Sequence, residues 1–332
     1  MNFSGRQGGV DEGGFERRGA SSLLRPLWLE LPVQLKESLT SAINRLAAAN
    51  VPSPRLNAES LLMFTLDCDR AYLFAHPERA LSDGEQSRYG AALAERARGV
   101  PAQYITGHQE FWGMDLIVSP VVLIPRPETE HVIERVLGLW TLDLRSQTSS
   151  DAPASSAEVG EFGSARRIVD VGTGSGCVAL ALAKELPGAE IHATDISSAA
   201  LEVAHANAAR HQLANRIQFH QTDLIEGLEP PFDFVVSNPP YVGESEEDQV
   251  QLEVRKFEPR NAVFAGPSGL DVIARLIPQA RAVLRPGGWL VMEISGTIAD
   301  KTKHLLRDWD DVRLIPDLQS IPRVAQARKA RR

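Results

Sequence analysis

From Arg167 onward, short β-branched runs alternate with segments of helical period, and no other feature of this chain narrows its fold so far. Strand-like runs lie at Arg167–Val171, Glu190–Thr194, Arg216–His220, Phe232–Ser237 and Trp289–Ile294, with weaker candidates at Val312–Ile315 and near the C-terminus. Helical patterns fill the intervals at Cys177–Leu186, Ser198–Gln212, Leu270–Leu284 and Ile298–Trp309. A helix between successive strands is the connection that a parallel pair requires. The expected class is therefore α/β, a doubly wound, mostly parallel sheet of seven strands. Such sheets bind ligands in the loops that follow the carboxyl ends of their strands.

The first of those loops is Gly172-Thr173-Gly174-Ser175-Gly176, entered from Ile168-Val169-Asp170-Val171. Its glycines permit a tight turn and a close ligand approach. A glycine-rich strand-to-helix turn is a weak signal alone, but its G-x-G-x-G spacing differs from the G-x-G-x-x-G of dinucleotide folds. Asp170, just before the loop, suits the amino group of an amino-acid-like ligand. Asp195 ends the next strand and is placed to accept two ribose hydroxyls, although capping the following helix would use the same residue. Asp223 follows the third strand and is within reach of a base. Together these residues describe a pocket for S-adenosylmethionine, a cofactor with an amino-acid moiety, a ribose and an adenine but no pyrophosphate.

The second loop is Asn238-Pro239-Pro240-Tyr241, which breaks the run Phe232-Asp233-Phe234-Val235-Val236 abruptly. Pro240 holds Pro239 extended, and neither proline donates a main-chain hydrogen bond. The stiff loop presents an amide, free carbonyls and an aromatic ring. That set suits a planar NH2 group: the Asn238 side-chain oxygen and the Pro239 carbonyl accept its two N–H bonds, and Tyr241 covers its flat face. Such a site works by positioning and electrostatics, without a strong base.

The chain has 332 residues, 43% of them hydrophobic, which is enough for two domains with real cores. Its net charge of −8 argues against an affinity built on phosphate neutralisation, so no direct sequence-specific nucleic-acid binding is expected. Two cysteines and scattered histidines indicate neither a disulfide framework nor a metal site, and the expected location is cytoplasmic. Residues 1–30 read as a disordered extension, or as sequence upstream of the true start. Residues 31–102 carry short amphipathic helices, one opening on a Ser82–Glu85 capping box, and are expected to form a substrate-recognition domain. Residues 103–124 have strand composition and read as a bridging hairpin. Residues 125–332 form the expected catalytic domain, with the Ser- and Ala-rich 146–164 as a flexible insertion.

With these residues in place, the chain resembles the bacterial peptide-chain release factor glutamine methyltransferases, within the class I methyltransferases that modify amino groups. The resemblance covers roughly residues 34–328. It includes Phe111-Trp112, Pro125-Arg126-Pro127-Glu128-Thr129-Glu130, the glycine loop, Asn238–Tyr241 and Phe257-Glu258-Pro259. It implies methyl transfer from S-adenosylmethionine to the side-chain nitrogen of the glutamine in the Gly-Gly-Gln loop of class 1 release factors. Gly172, Thr173, Gly174, Ser175, Gly176, Asp195, Asp223, Leu224 and Asn238 would hold the cofactor. Asn238, Pro239, Pro240 and Tyr241 would hold the glutamine, with Asn238, Pro239 and Tyr241 serving the chemistry. Leu224 stands where some relatives carry a tryptophan against the adenine. Arg126 and Glu128 shape either the pocket rim or a helix start. Two alternatives remain open at this point: an amino-methyltransferase acting on DNA or ribosomal RNA, and a non-catalytic release-factor- or ribosome-binding module.

Overall fold

The computed structural model describes residues 33–148 and 166–331. The expected N-terminal extension, and most of the expected insertion at 146–164, lie outside the described residues. Residues 146–148 form the last turn of a helix.

The N-terminal unit packs α1 (Leu35–Ala48), α2 (Pro54–Leu66), α3 (Arg70–Ala75), α4 (Asp83–Ala97) and α5 (Ala102–Thr106) around Leu35, Leu46, Leu61, Leu62, Leu73 and Tyr89. The α4 capping box forms as expected: Ser82 Oγ accepts from the Glu85 amide, and Glu85 Oε2 accepts from the Ser82 amide. Arg96, buried near the end of α4, donates to Asn57 Oδ1 at 2.7 Å and to Glu253 Oε2 at 2.8 Å. That guanidinium therefore fastens the helical unit to the segment around Glu253, far along the chain, a contact no local pattern announces.

The bridging segment is shorter than its composition suggests. Only β1 (His108–Phe111) and β2 (Met114–Ile117) pair, antiparallel, and Tyr104-Ile105 belong to α5 instead. Pro101 leads into that helix and Gly107, at φ +76°, ends it, so the aromatic and β-branched residues are enclosed by helix start and stop signals. Residues 121–124 are not strand either: the Tyr104 hydroxyl donates to Val122 O at 2.6 Å, anchoring an irregular passage.

A short 3₁₀ turn (Pro127–Thr129) then opens α6 (Glu130–Thr148). The large sheet and its helices follow as β3 (Arg167–Val171), α7 (Cys177–Glu185), β4 (Glu190–Asp195), α8 (Ser198–Arg210), β5 (Ile217–Gln221) and β6 (Phe232–Ser237). Two short helices, α9 (Leu252–Phe257) and α10 (Arg260–Val263), precede α11 (Asp271–Val283), β7 (Leu284–Glu293), α12 (Ala299–Leu305), β8 (Asp310–Pro316) and β9 (Pro322–Arg328). Strand order is β5-β4-β3-β6-β7-β9-β8; the first five run parallel, β9 is antiparallel to both its neighbours, and β8 therefore runs in the direction of the first five. This is the expected seven-stranded, doubly wound sheet. One apolar layer under α6, α7 and α8 includes Ile133, Leu180, Ile191 and Phe234, and the other, under α11 and α12, includes Val169, Phe232, Ile273 and Leu290. The order reverses between β3 and β6, which places their carboxyl ends beside a crevice.

Candidate active site

The two loops singled out from the sequence meet at that crevice. Ser237, at the end of β6, donates its hydroxyl to Val171 O at 2.7 Å, so the strand leading to Asn238 is tied to the strand leading to the glycine loop. Between them lies a cavity of about 300 Å³ lined by Asp170, Gly172, Thr173, Gly174, Ser175, Asp195, Asp223, Leu224, Asn238, Pro239 and Pro240.

The glycine loop is held from within. The amides of Gly172 and Thr173 both donate to Thr194 O at 2.9 Å, that of Gly174 to Asp195 Oδ2 at 2.9 Å, and that of Gly176 to Thr173 O at 2.8 Å. These amides therefore do not form an anion nest, which fits a cofactor without a pyrophosphate. Gly172 and Gly174, at φ +71° and +56°, instead offer a wall without side chains: a Cβ at either position would project into open space. Gly176 does not line the cavity. It precedes α7 at φ +84°, and a Cβ there would come within 2.9 Å of Leu180 Cδ1 and 3.2 Å of Ala204 Cβ, so it serves close helix packing.

Asp170, 1% exposed, accepts from the Thr173 hydroxyl at 2.6 Å and the Ala179 amide at 3.1 Å, both at Oδ2. Burial pushes its carboxyl up to about 7, and nearby Asp195 pushes in the same direction. A cavity-lining carboxyl in this state is suited to an arriving ammonium. Asp195 bridges the loops: Oδ2 takes the Gly174 amide, and Oδ1 takes the Ser197 amide at 2.9 Å. The helix cap itself is Ser197, whose hydroxyl accepts from the Ala200 amide. Asp195 therefore stays at the cavity wall and does not cap α8. Asp223 also lines the cavity, paired with Arg275 from α11. Leu224, at φ +55°, is held in a left-handed backbone conformation uncommon for a non-glycine residue, and forms an apolar part of the wall.

The second loop differs from expectation in one respect. Tyr241 does not line the cavity; it is largely buried behind it and its hydroxyl donates to Glu293 Oε1 at 3.1 Å. Glu293, 1% exposed at the end of β7, also accepts from the Thr129 hydroxyl at 2.6 Å, and Thr129 in turn accepts from Asn238 Nδ2 at 3.0 Å. Sequence reasoning missed Thr129 and Glu293. Thr129 lies inside the Pro-Arg-Pro-Glu-Thr-Glu segment, where attention falls on the charged neighbours, and Glu293 ends an apolar strand with no motif around it. Arg126 pairs with buried Glu258, whose Oε2 accepts from the Ile124 amide at 3.4 Å, so that guanidinium braces the passage into the helix start and does not line the cavity. Glu128 stands in the first turn of the 3₁₀ helix, where an acid favours the helix N-terminus. Asn207 is a further tie: it exchanges hydrogen bonds with the backbone of Ile117 at 2.7 and 2.9 Å and donates to Ser175 O at 2.9 Å, joining the hairpin to the glycine loop.

One atom tests whether the cavity fits a polar ligand. Ser175 is buried and lines the wall, and its hydroxyl has only the weakly bonding Cys177 thiol beside it. A buried hydroxyl so poorly satisfied favours a polar ligand that completes it. A side-chain-free glycine wall, buried Asp170, Asp195 and the apolar face of Leu224 match the amino-acid, ribose and base parts of S-adenosylmethionine in turn. The sheet order, the glycine loop and the amide-bearing Asn238 loop define a class I, S-adenosylmethionine-dependent methyltransferase.

Comparison with known proteins narrows this class. The description "PrmC N-terminal domain" matches residues 37–107, and "Methyltransferase small domain" matches residues 155–256. A release factor glutamine methyltransferase of Koribacter versatilis (strain Ellin345) is 52% identical over 297 residues, covering 89% of this chain and 98% of its own length. One from Xylella fastidiosa (strain 9a5c) is 42% identical, covering 77% and 85%. Among solved structures, the N-terminal domain of human METTL16 in complex with SAH aligns at 18% identity over 86% of this chain and 94% of that one, with a TM-score of 0.44. The chain belongs to the release factor glutamine methyltransferase family.

Proposed function

We propose that the chain transfers a methyl group from S-adenosylmethionine to the side-chain amide nitrogen of the glutamine in the Gly-Gly-Gln motif of class 1 peptide-chain release factors, in the cytoplasm. The observation that carries this reading is the convergence of Asn238, Pro239 and Pro240 with the glycine loop and Asp195 on one cavity, in a chain of this family. Bound there, S-adenosylmethionine supplies the electrophilic methyl group. An amide nitrogen is a poor nucleophile because its lone pair is delocalised into the carbonyl. Accepting its two N–H bonds at Asn238 Oδ1 and the Pro239 carbonyl orients the nitrogen and favours its pyramidalisation as the new bond forms. Gly172, Thr173, Gly174 and Ser175 frame the cofactor, Asp170 takes its ammonium and Asp195 its ribose hydroxyls. Asp223 and Leu224 flank the base, and Gly176 keeps the loop seated on α7. Tyr241 acts from behind the wall, through Glu293, and does not cover the target group.

The helical unit is the proposed docking platform for the protein substrate. It exposes Leu56, Phe64 and Phe74, each at least half accessible, which suits a folded protein partner more than a phosphate backbone. A net charge of −8 supports the same choice and speaks against sequence-specific nucleic-acid binding. Among the described residues, no helix is long and apolar enough to cross a membrane. Labelled S-adenosylmethionine, offered in parallel to a class 1 release factor, its loop Gln→Ala variant, DNA and ribosomal RNA, tests the substrate. Label in the intact release factor alone is expected. Label in nucleic acid and none in release factor would overturn the substrate assignment.

A further inference from the structure

The Asn238 amide has two ends of nearly identical shape and opposite hydrogen-bonding sense. Only its oxygen can hold an NH2 group; turned by half a rotation, it would aim its own NH2 at the target NH2, donor against donor. The prolines that follow it stiffen the backbone and have no means of choosing between the two ends. The choice is made at the cavity wall, which Thr129 helps to line, and behind it, at Glu293. Burial pushes the Glu293 carboxyl up, and the Thr129 hydroxyl at 2.6 Å and the Tyr241 hydroxyl at 3.1 Å, one on each oxygen, pull it back toward the ionised form, in which it has no proton to give. The Thr129 proton is thereby committed to Glu293, and Thr129 has only a lone pair left for Asn238. The Asn238 end facing it, 3.0 Å away, must be Nδ2. Oδ1 is then left for the cavity.

We propose that Thr129 and Glu293 are positioning residues that fix the polarity of the Asn238 amide, so that its oxygen and not its nitrogen meets the methyl-accepting group. The proposal rests on the reading that Asn238 Oδ1 holds the target NH2. Thr129 is 1% exposed and Glu293 1% exposed, so no solvent competes for these bonds and the direction of the chain is set by the protein alone. Tyr241 completes it: by occupying Oε1, it leaves Oε2 to Thr129. The sequence-distant partners come from three elements, the 3₁₀ turn before α6, the loop after β6 and the end of β7, so the arrangement reports on the assembled domain and not on the Asn-Pro-Pro-Tyr loop alone.

The test uses the full chain with release factor as acceptor. Thr129→Val keeps the shape and removes the hydroxyl; Thr129→Ser keeps the hydroxyl. The expected result is a fall of about tenfold or more in single-turnover rate for Thr129→Val, with S-adenosylmethionine affinity and the KM for release factor within about twofold of wild type, and recovery to within about threefold in Thr129→Ser. In an Asn238→Ala background, Thr129→Val should add almost nothing, because the group it orients is gone. Thr129→Val turning over at the wild-type rate, Thr129→Ser as slow as Thr129→Val, or losses that multiply in the double variant would each overturn the proposal. Asn238→Ala at the wild-type rate would instead remove the reading beneath it, a separate and distinguishable failure. Should Thr129→Val not fold, the side-chain amide of Asn238 in the wild-type protein decides, read by ¹⁵N NMR. An NH2 proton protected from exchange supports the chain of bonds, and both protons exchanging like those of a surface asparagine refutes it.

Discussion

Asp170→Asn is the substitution whose consequences follow most directly from the structure. Burial raises the Asp170 carboxyl from about 3.8 to about 7, so the folded protein holds its proton more tightly than the unfolded chain does. Below about pH 4 the group is neutral in both states and costs nothing. As pH rises from there to about 7, the unfolded chain ionises while the folded one resists, and stability falls by about 1.4 kcal/mol per pH unit from this group, levelling off above 7 after a total of roughly 4 kcal/mol. Asp170→Asn should therefore stabilise the ligand-free protein at pH 8 and flatten the pH dependence of its denaturation midpoint. Cofactor binding runs the other way. An ammonium arriving at Asp170 favours the ionised form, so binding expels a proton below pH 7. With full ionisation in the complex, affinity should rise about eightfold between pH 6 and 7.5 in the wild type, a range that stops short of the ligand's own amino group. Isothermal titration of S-adenosylhomocysteine in two buffers of different ionisation enthalpy measures both the affinity and the proton released. The slope should vanish in Asp170→Asn, at the cost of weaker binding at the upper end. A pH-independent affinity in wild type, or an unchanged slope in the variant, would show that Asp170 does not receive the ammonium.

Three further outcomes are expected. Asp195→Ala should weaken cofactor binding by one to two orders of magnitude, since charge-assisted hydrogen bonds contribute roughly 1.5–3 kcal/mol each; unchanged affinity by calorimetry in a folded variant would remove Asp195 from the site. Gly269→Ala would place a Cβ 2.2 Å from Tyr241 O at a φ of +74°, displacing the chain behind the Asn238 loop. A destabilisation of roughly 2 kcal/mol by denaturant titration, with turnover falling further than cofactor affinity, is expected; a variant with wild-type kcat would show that the loop tolerates the shift. Replacing exposed Leu56 and Phe64 of α2 with Ser should raise the KM for release factor several-fold while kcat and cofactor affinity hold. An unchanged KM would assign those side chains no part in docking.

Much of this protein is determined by local sequence. The alternation of β-branched runs with helical periods dictates a parallel sheet because parallel strands cannot be joined without a crossover, and each strand read from Arg167 onward lies in the sheet. That the glycine loop, Asp195 and Asn238 meet at one cavity was legible because each lies at a strand's carboxyl end, a place the topology reserves for ligands. What the sequence left undecided are relations between residues far apart in the chain. Tyr104-Ile105 have strand composition, yet Pro101 and Gly107 close them into a helix. Tyr241 sits in a binding motif, yet its ring is drawn behind the wall by Glu293, 52 positions away. Thr129 reaches Glu293 across 164 positions, and Arg96 reaches Glu253 across 157. No period or spacing encodes such bonds. They arise because a buried carboxylate or guanidinium must find partners wherever the assembled sheet and helices bring them, and only the tertiary structure decides which residues those are.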